Sequence, residues 1–207
     1  YQIVARDIEG RGSSEKNFIT VIPSSHHGWL RISPNNPGYL MHDDGTSFYG
    51  MGAYYFTQIK KERLQTFARH GGNIIGYWNS IYDDEGNEGG LYLLESLDSG
   101  LGKYDQRKAA RLDEILEWCE AENIQLMLAI NEHHMYCLDD NPWPNGEWHN
   151  NPYKEIVDAS DFYGDSAVWE FQKNKYRYII ARWGYSRSMG IWEIMNEIHG
   201  TTGYVHN

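Results

Sequence analysis

Basic charge is scarce in this 207-residue sequence: 18 Lys and Arg stand against 29 Asp and Glu, a formal net charge of −11. Nucleic acids and anionic membrane surfaces select the opposite balance, because binding them means neutralising phosphate. No nucleic acid and no membrane is therefore expected as a partner. Long apolar runs are missing too, and none approaches the roughly 18 residues of a membrane span. Tyr1 opens directly in strand-like sequence, without the charged and apolar regions of a signal peptide. That start reads as processed, or as cut from something longer. Cysteine is limited to Cys119 and Cys137, too few for a disulfide framework or a zinc cysteine cluster. Both are expected to be free, with one bond between them left open. No metal and no cofactor is expected.

Aromatic residues are abundant. They make up 14% of the chain, with 8 Trp and 16 Tyr. Their flat faces suit the C–H faces of sugar rings, while their N–H and O–H groups satisfy hydroxyls. Filling a core would use the same residues, and composition alone does not choose.

Two regimes follow one another along the chain. Residues 1–5, 18–23 and 29–33 read as short strands separated by Gly- and Ser-rich turns, the pattern of the tail of a β-sandwich. Ser33-Pro34-Asn35-Asn36-Pro37-Gly38 reads as a linker. From Ser47 the rhythm becomes strand, helix, strand, helix. Strands are expected over 47–55, 73–78, 124–130 and 190–196. Thr57, Asp105, and Asp165 or Ser166 are the candidate helix caps, and Gly71-Gly72, Asn123 and Gly184 the candidate stops. The last helix is expected to bury Trp169, Tyr176, Ile179, Ile180 and Trp183 on one face. Strands linked by helical crossovers make a parallel sheet. Tyr54-Tyr55-Phe56-Thr57-Gln58 stands where a nucleotide-binding sheet carries its glycine loop, which favours a barrel. A full barrel takes roughly 250 residues and only about 160 follow Ser47. The expected fold class is α/β: strands 1–4 of a partial (β/α)8 TIM barrel, over residues 37–207, preceded over residues 1–36 by the sandwich tail and linker.

The segment Trp192-Glu193-Ile194-Met195-Asn196-Glu197-Ile198-His199 carries the chemistry. It sets Asn-Glu at the C-terminal end of a buried parallel strand, the rim where barrels hold catalytic groups. A carboxyl walled there by apolar strands and Trp192 is expected to hold its proton more tightly than usual. Cleaving a glycoside needs such an acid for the departing oxygen. Asn196 can hydrogen-bond the hydroxyl beside the reacting carbon. Glu193, on the strand itself, reads as a structural partner of an Arg or a backbone donor.

Further along the chain, Pro37-Gly38-Tyr39-Leu40-Met41-His42-Asp43-Asp44-Gly45-Thr46-Ser47-Phe48-Tyr49-Gly50-Met51-Gly52 and Arg177-Tyr178-Ile179-Ile180-Ala181-Arg182-Trp183-Gly184-Tyr185, followed by the Asn-Glu segment, resemble clan A glycoside hydrolases. The likeness is to cellulase- and mannanase-like family 5 relatives with an Ig-like sandwich before the barrel. The resemblance implies that Glu197 is the acid/base and that Asn196 binds and orients the sugar. It also implies a retaining mechanism through a covalent glycosyl-enzyme. The sequence departs from the family twice. The family's Arg near the end of strand 2 is replaced by Gly76-Tyr77-Trp78-Asn79, and its strand-7 nucleophilic Glu lies past the last residue here. The 207 residues alone are expected to be catalytically incomplete.

The remaining candidates lie in loops on the same rim. His133 and His134 follow strand 3 and read as sugar or supporting contacts. A metal held with Glu132 is disfavoured there, because adjacent histidines point apart. Trp78, Tyr136, Trp143 and Trp148 are candidate stacking residues, or else packing for the long 131–164 loop. Glu132, Asp83, Asp84 and Glu85 read as ordinary loop carboxylates, and residues 83–90 as a solvated turn without EF-hand spacing. The expected function is hydrolysis of O-glycosidic bonds in a polysaccharide or oligosaccharide, by a secreted, periplasmic or cell-surface protein. The alternative is a non-catalytic carbohydrate-binding protein on a degenerate barrel. The expected partner, besides substrate, is the missing half-barrel or a second copy of the chain.

Overall fold

The computed structural model describes residues 1–55, 59–78, 94–138 and 146–205. Small antiparallel sheets come first. β1 (Val4–Arg6) pairs with β2 (Arg11–Ser13) around a turn that Asp7 closes, its side chain accepting from the amides of Glu9 and Gly10. β3 (Leu30–Ile32), β4 (Leu40–His42) and β5 (Ser47–Phe48) form a three-stranded sheet in that order. Two expectations change here. Residues 18–23 form no strand, and Phe18, Ile19, Val21 and Ile22 are exposed; without a ladder partner or a face to bury, β-propensity has nothing to act on. The stretch from Ser33 to Gly38 is a hairpin turn, not a linker. The Asn36 side chain accepts from the Gly38 amide and its carbonyl from the Tyr39 amide, the local preference of an Asn before Pro-Gly. The hairpin therefore joins residues on both sides of the boundary expected at 36/37.

The second regime is one parallel sheet, β6 (Gly52–Tyr55), β7 (Ile74–Trp78), β8 (Gln125–Asn131) and β9 (Met189–Met195), with sequential strands as neighbours. The strand expected over 47–55 is thus divided, its first residues in the antiparallel sheet and its last in the parallel one. A doubly wound sheet reverses its order at a switch point, whereas sequential order throughout is the barrel arrangement. The register sets Tyr54, Gly76 and Met127 in one row, and Trp78, Ala129 and Glu193 in the next row toward the C-terminal edge.

Three helices cover one face. α1 (Lys61–Arg69) begins after Lys60 without a side-chain cap, the expected Thr57 lying outside the described residues. It buries Leu64 and ends at Gly71, whose φ of +87° suits glycine. α2 (Gln106–Ala121) is capped as expected by Asp105, which accepts from the amides of Arg107 and Lys108, and stops at left-handed Asn123. α3 (Ser166–Trp183) is capped by Asp165. Its buried stripe is Val168, Gln172, Lys175, Ile179 and Trp183, with Trp169 and Ile180 turned outward. The expected face included those last two because apolarity alone was followed. The true stripe keeps a steady three- and four-residue spacing and accepts two polar residues to do so.

Leu64, Ile75, Ile115, Leu126, Leu128 and Ile179 are among the side chains that join the helices to the sheet in one core. Truncating such a residue to Ala costs about 2–5 kcal/mol. Asp113 on α2 ties the end of α3, accepting from Arg182 at 2.6 Å and from the Trp183 indole at 2.7 Å; the Arg182 contact holds its carboxyl below the usual range. Cys119 and Cys137 are both free and buried, so no bond joins them. Burial pushes each thiol up to about 12. A short turn, α4 (Thr202–Val205), follows β9.

Candidate active site

The C-terminal ends of β6 to β9 bring together residues distant in sequence. Tyr54 is the penultimate residue of β6, and its ring lies over Gly76, where an added Cβ would stand 2.5 Å from the ring carbons. Trp78 ends β7, edge-on to Tyr54 at 6.2 Å and to His133 at 5.7 Å. His133 in turn lies 4.0 Å from the His134 ring. A file of four rings thus runs across three strand ends.

Beneath and beside it are carboxylates. Glu132 is fully buried and engages His134 through one carboxylate oxygen. It also accepts the His134 amide at 3.1 Å. That contact raises the His134 pKa above its ordinary 6.5 against the opposing effect of burial. Burial is the main cause lowering that of His133, with the charge of His134 adding to it and the Glu132 charge opposing it. One ring is thereby biased toward the charged form and its neighbour toward the neutral one. The donor atoms of Glu132, His133 and His134 lie within 4.8 Å of one another, so the adjacent histidines do converge, contrary to expectation. A cation placed there would displace the Glu132–His134 contact.

Glu193 is the partner of Asn196, accepting its side-chain amide at 3.2 Å. Among the described residues neither of the expected partners, an Arg or a backbone donor, bonds it. It also faces Tyr54, whose hydroxyl is held above its ordinary value, first by burial and then by the Glu193 charge. Asn196 is buried, with its amide nitrogen donating to the Asn131 carbonyl at 3.0 Å. Glu197 follows in a left-handed conformation, φ 51° and ψ 41°, rare for a residue with a side chain. Its carboxylate lies 3.3 Å from the His199 ring. The apolar enclosure expected around Glu197 is only partial. Its side chain is 38% exposed, and Trp192 packs against the main core.

Of the expected site residues, Glu197, Asn196, His133, His134 and Trp78 share this rim. Tyr136 and Trp148 do not join the file of rings. They are 3% and 8% exposed in a second cluster with Met135, Tyr153, Phe162 and Val168. The Tyr136 hydroxyl is spent on Asn131. Both rings lie against Phe162, Tyr136 tilted at 4.7 Å and Trp148 edge-on at 6.0 Å. Trp143, with Asn79, Asp83, Asp84 and Glu85, lies outside the described residues. Sequence reasoning missed Tyr54, whose signal was its place near the end of the first strand. It also missed Lys175, a lysine on the buried stripe of α3, which demands a buried acceptor.

The family model for cellulase, glycosyl hydrolase family 5, matches residues 41–206. The chain belongs to glycosyl hydrolase family 5. Among curated proteins nothing matches. Solved structures resemble it in fold. A glycoside hydrolase family 5 structure from Bacteroides vulgatus ATCC 8482 aligns with TM-score 0.52 and 13% identity, over 87% of this chain and 35% of that one. An exo-β-1,4-mannosidase from Opitutaceae bacterium strain TAV5 aligns with TM-score 0.55 and 16% identity, over 81% of this chain and 28% of the other. Endo-glycoceramidase II from Rhodococcus sp. gives TM-score 0.55 and 17% identity, over 79% and 43%. The chain spans roughly a third of the first two in length. Family 5 membership, with the parallel sheet in sequential order, gives an α/β fold of TIM-barrel type.

Proposed function

We propose that this family 5 chain supplies the acid/base half of a retaining glycosidase acting on a polysaccharide or oligosaccharide. Glu197 donates the proton to the leaving oxygen, and Asn196 orients the sugar hydroxyl beside the reacting carbon. His133 and Trp78 form the wall against which the ring lies. The observation that carries this is the position of Asn196-Glu197 directly after β9, at the strand-end rim shared with Tyr54, Trp78 and His133. One carboxylate cannot both protonate and attack, and Glu132 and Glu193 at the same rim are engaged with His134 and Asn196. The nucleophile therefore comes from the second half of the barrel, roughly 5 Å away in the retaining geometry. On this reading the parallel sheet from Gly52 onward belongs to the first half of the barrel, and the antiparallel strands before it are the tail of an Ig-like sandwich and the entry into the barrel. A polymeric substrate stays outside the cytoplasm, which makes the protein secreted, periplasmic or cell-surface.

The test is Glu197→Gln in the longer protein, assayed on soluble β-mannans and β-glucans. General acid catalysis contributes about 10²–10⁴-fold, and turnover is expected to fall by that much. Undiminished hydrolysis would remove Glu197 from the role. A second reading, carbohydrate binding without turnover, draws on the family's strand-2 Arg being replaced here by Gly76-Tyr77-Trp78. It predicts saturable sugar binding by calorimetry and no product from the unaltered protein.

A further inference from the structure

Under the rim lies a buried polar cluster that the proton-donor role leaves unexplained. Asn131, the last residue of β8, is 4% exposed and uses its whole side chain. Its oxygen accepts from Lys175 at 2.6 Å and from the Tyr136 hydroxyl at 2.9 Å. Its amide donates across to β9, to the carbonyl of Ile194 at 3.0 Å. Its own backbone carbonyl accepts the Asn196 amide, also at 3.0 Å. Two bonds from one residue thus grip the chain on either side of Met195, immediately before the left-handed turn at Glu197. Lys175, buried on α3, lies 3.8 Å from the buried carboxylate of Glu95, which Tyr153 and the Gly102 amide also engage.

We propose that Asn131, braced by Lys175 and Glu95, is a positioning residue that sets the direction of the Glu197 carboxyl. The inference rests on Glu197 being the proton donor. A residue with a side chain enters the left-handed region only when its surroundings hold it there, at a cost of about 1–3 kcal/mol otherwise unrecovered. The residues that could hold it are few. Ahead of the turn stands the Asn131 clamp. After it the chain is pinned by the Cys137 thiol, which donates to the Gly200 carbonyl at 2.7 Å, and by Thr202, which accepts the Leu138 amide at 2.9 Å. The clamp reaches the buried Lys175 ammonium. A buried lysine and glutamate are costly to maintain in a core, and here the lysine holds the carbonyl group of a side chain that spans β8 and β9.

The decisive variant is Asn131→Asp. It keeps the shape and gives Lys175 an anionic partner, but it replaces the donor to Ile194 with an acceptor. In the longer protein, hydrolysis of phenyl β-glycosides, whose poor leaving group needs an acid, is expected to fall about 10²-fold, the scale of a 1 Å misplacement. Dinitrophenyl β-glycosides of the same sugar leave unaided and should lose less than about threefold at the glycosylation step, where no proton is required. A loss of stability alone would lower both substrates equally and would overturn the assignment. The same variant of the 207-residue chain, followed by NMR, should speed exchange of the Asn196 amide, which bonds the Asn131 carbonyl. Unchanged exchange would also overturn it. If Glu197→Gln itself shows no dependence on the leaving group, the proton-donor reading fails. If it shows one and Asn131→Asp does not, the clamp alone fails.

Discussion

At the scale of single residues, His133 and His134 are the informative pair, because one backbone position separates opposite electrostatic fates. Folding raises the His134 pKa, chiefly through Glu132, and lowers that of His133, chiefly through burial. The signs give different pH windows. The stability that His134 contributes is complete below pH 6.5 and is lost as the pH climbs through its raised folded value. His133 folds neutral, so stability is lost as the pH falls from 6.5 through its lowered value. Together they make the chain most stable near pH 6.5, as far as this pair is concerned. Urea midpoints measured across pH 5 to 9 should show both declines. His134→Gln should flatten the alkaline one and leave the acidic one in place. If the alkaline decline persists in His134→Gln, the Glu132–His134 pair does not carry it.

At the scale of elements, the sheet and helices were legible where one residue sets a boundary. Asp105, Asp165, Asn123 and Gly71 do so through a cap bond or a left-handed turn, local chemistry that needs no knowledge of the fold. Asp165 accepts from the amides of Ala167 and Val168 at 2.7 and 3.0 Å, and Asp165→Ala should cost about 1 kcal/mol in chemical denaturation. The order of the parallel strands was legible from helix-length connections, and Asn196-Glu197 from its place at a strand end. What was hidden depends on pairing or packing across the chain. The 33–38 turn looked like a linker because its partner strands are only three residues each. Tyr136 and Trp148 looked like sugar platforms because nothing in sequence placed Phe162 against them. Gly76 gave no sign that it makes room for the Tyr54 ring. That room is testable. Gly76→Ala should force the ring off Trp78 and Glu193, at an overpacking cost of about 1–3 kcal/mol. Turnover should fall more than a thermal melt of the same variant would explain; wild-type turnover would mean that Tyr54 is a bystander.

At the scale of the whole molecule, the question is what covers the sheet. Its order ends at β6 on one side and β9 on the other, and among the described residues nothing pairs with either outer edge. The side chains near those edges are not dressed for water. Ile194 is 64% exposed and Tyr54 44%. An open parallel sheet is a template for further strands, and a closed barrel removes the problem by having no edge. The 207-residue chain by itself is therefore expected to bury its edges against a copy of itself. A stable contact of that kind hides about 1,000 Å² or more. Sedimentation should show dimers or larger species that dissociate on dilution, and ANS fluorescence should fall as they form. If, as proposed, a second half-barrel occupies the same edges in a longer protein, that species should sediment as a monomer with a higher melting temperature. A 207-residue chain that stays monomeric at high concentration and binds no ANS would mean that the edges are closed some other way, and with them the case for a second half-barrel would weaken.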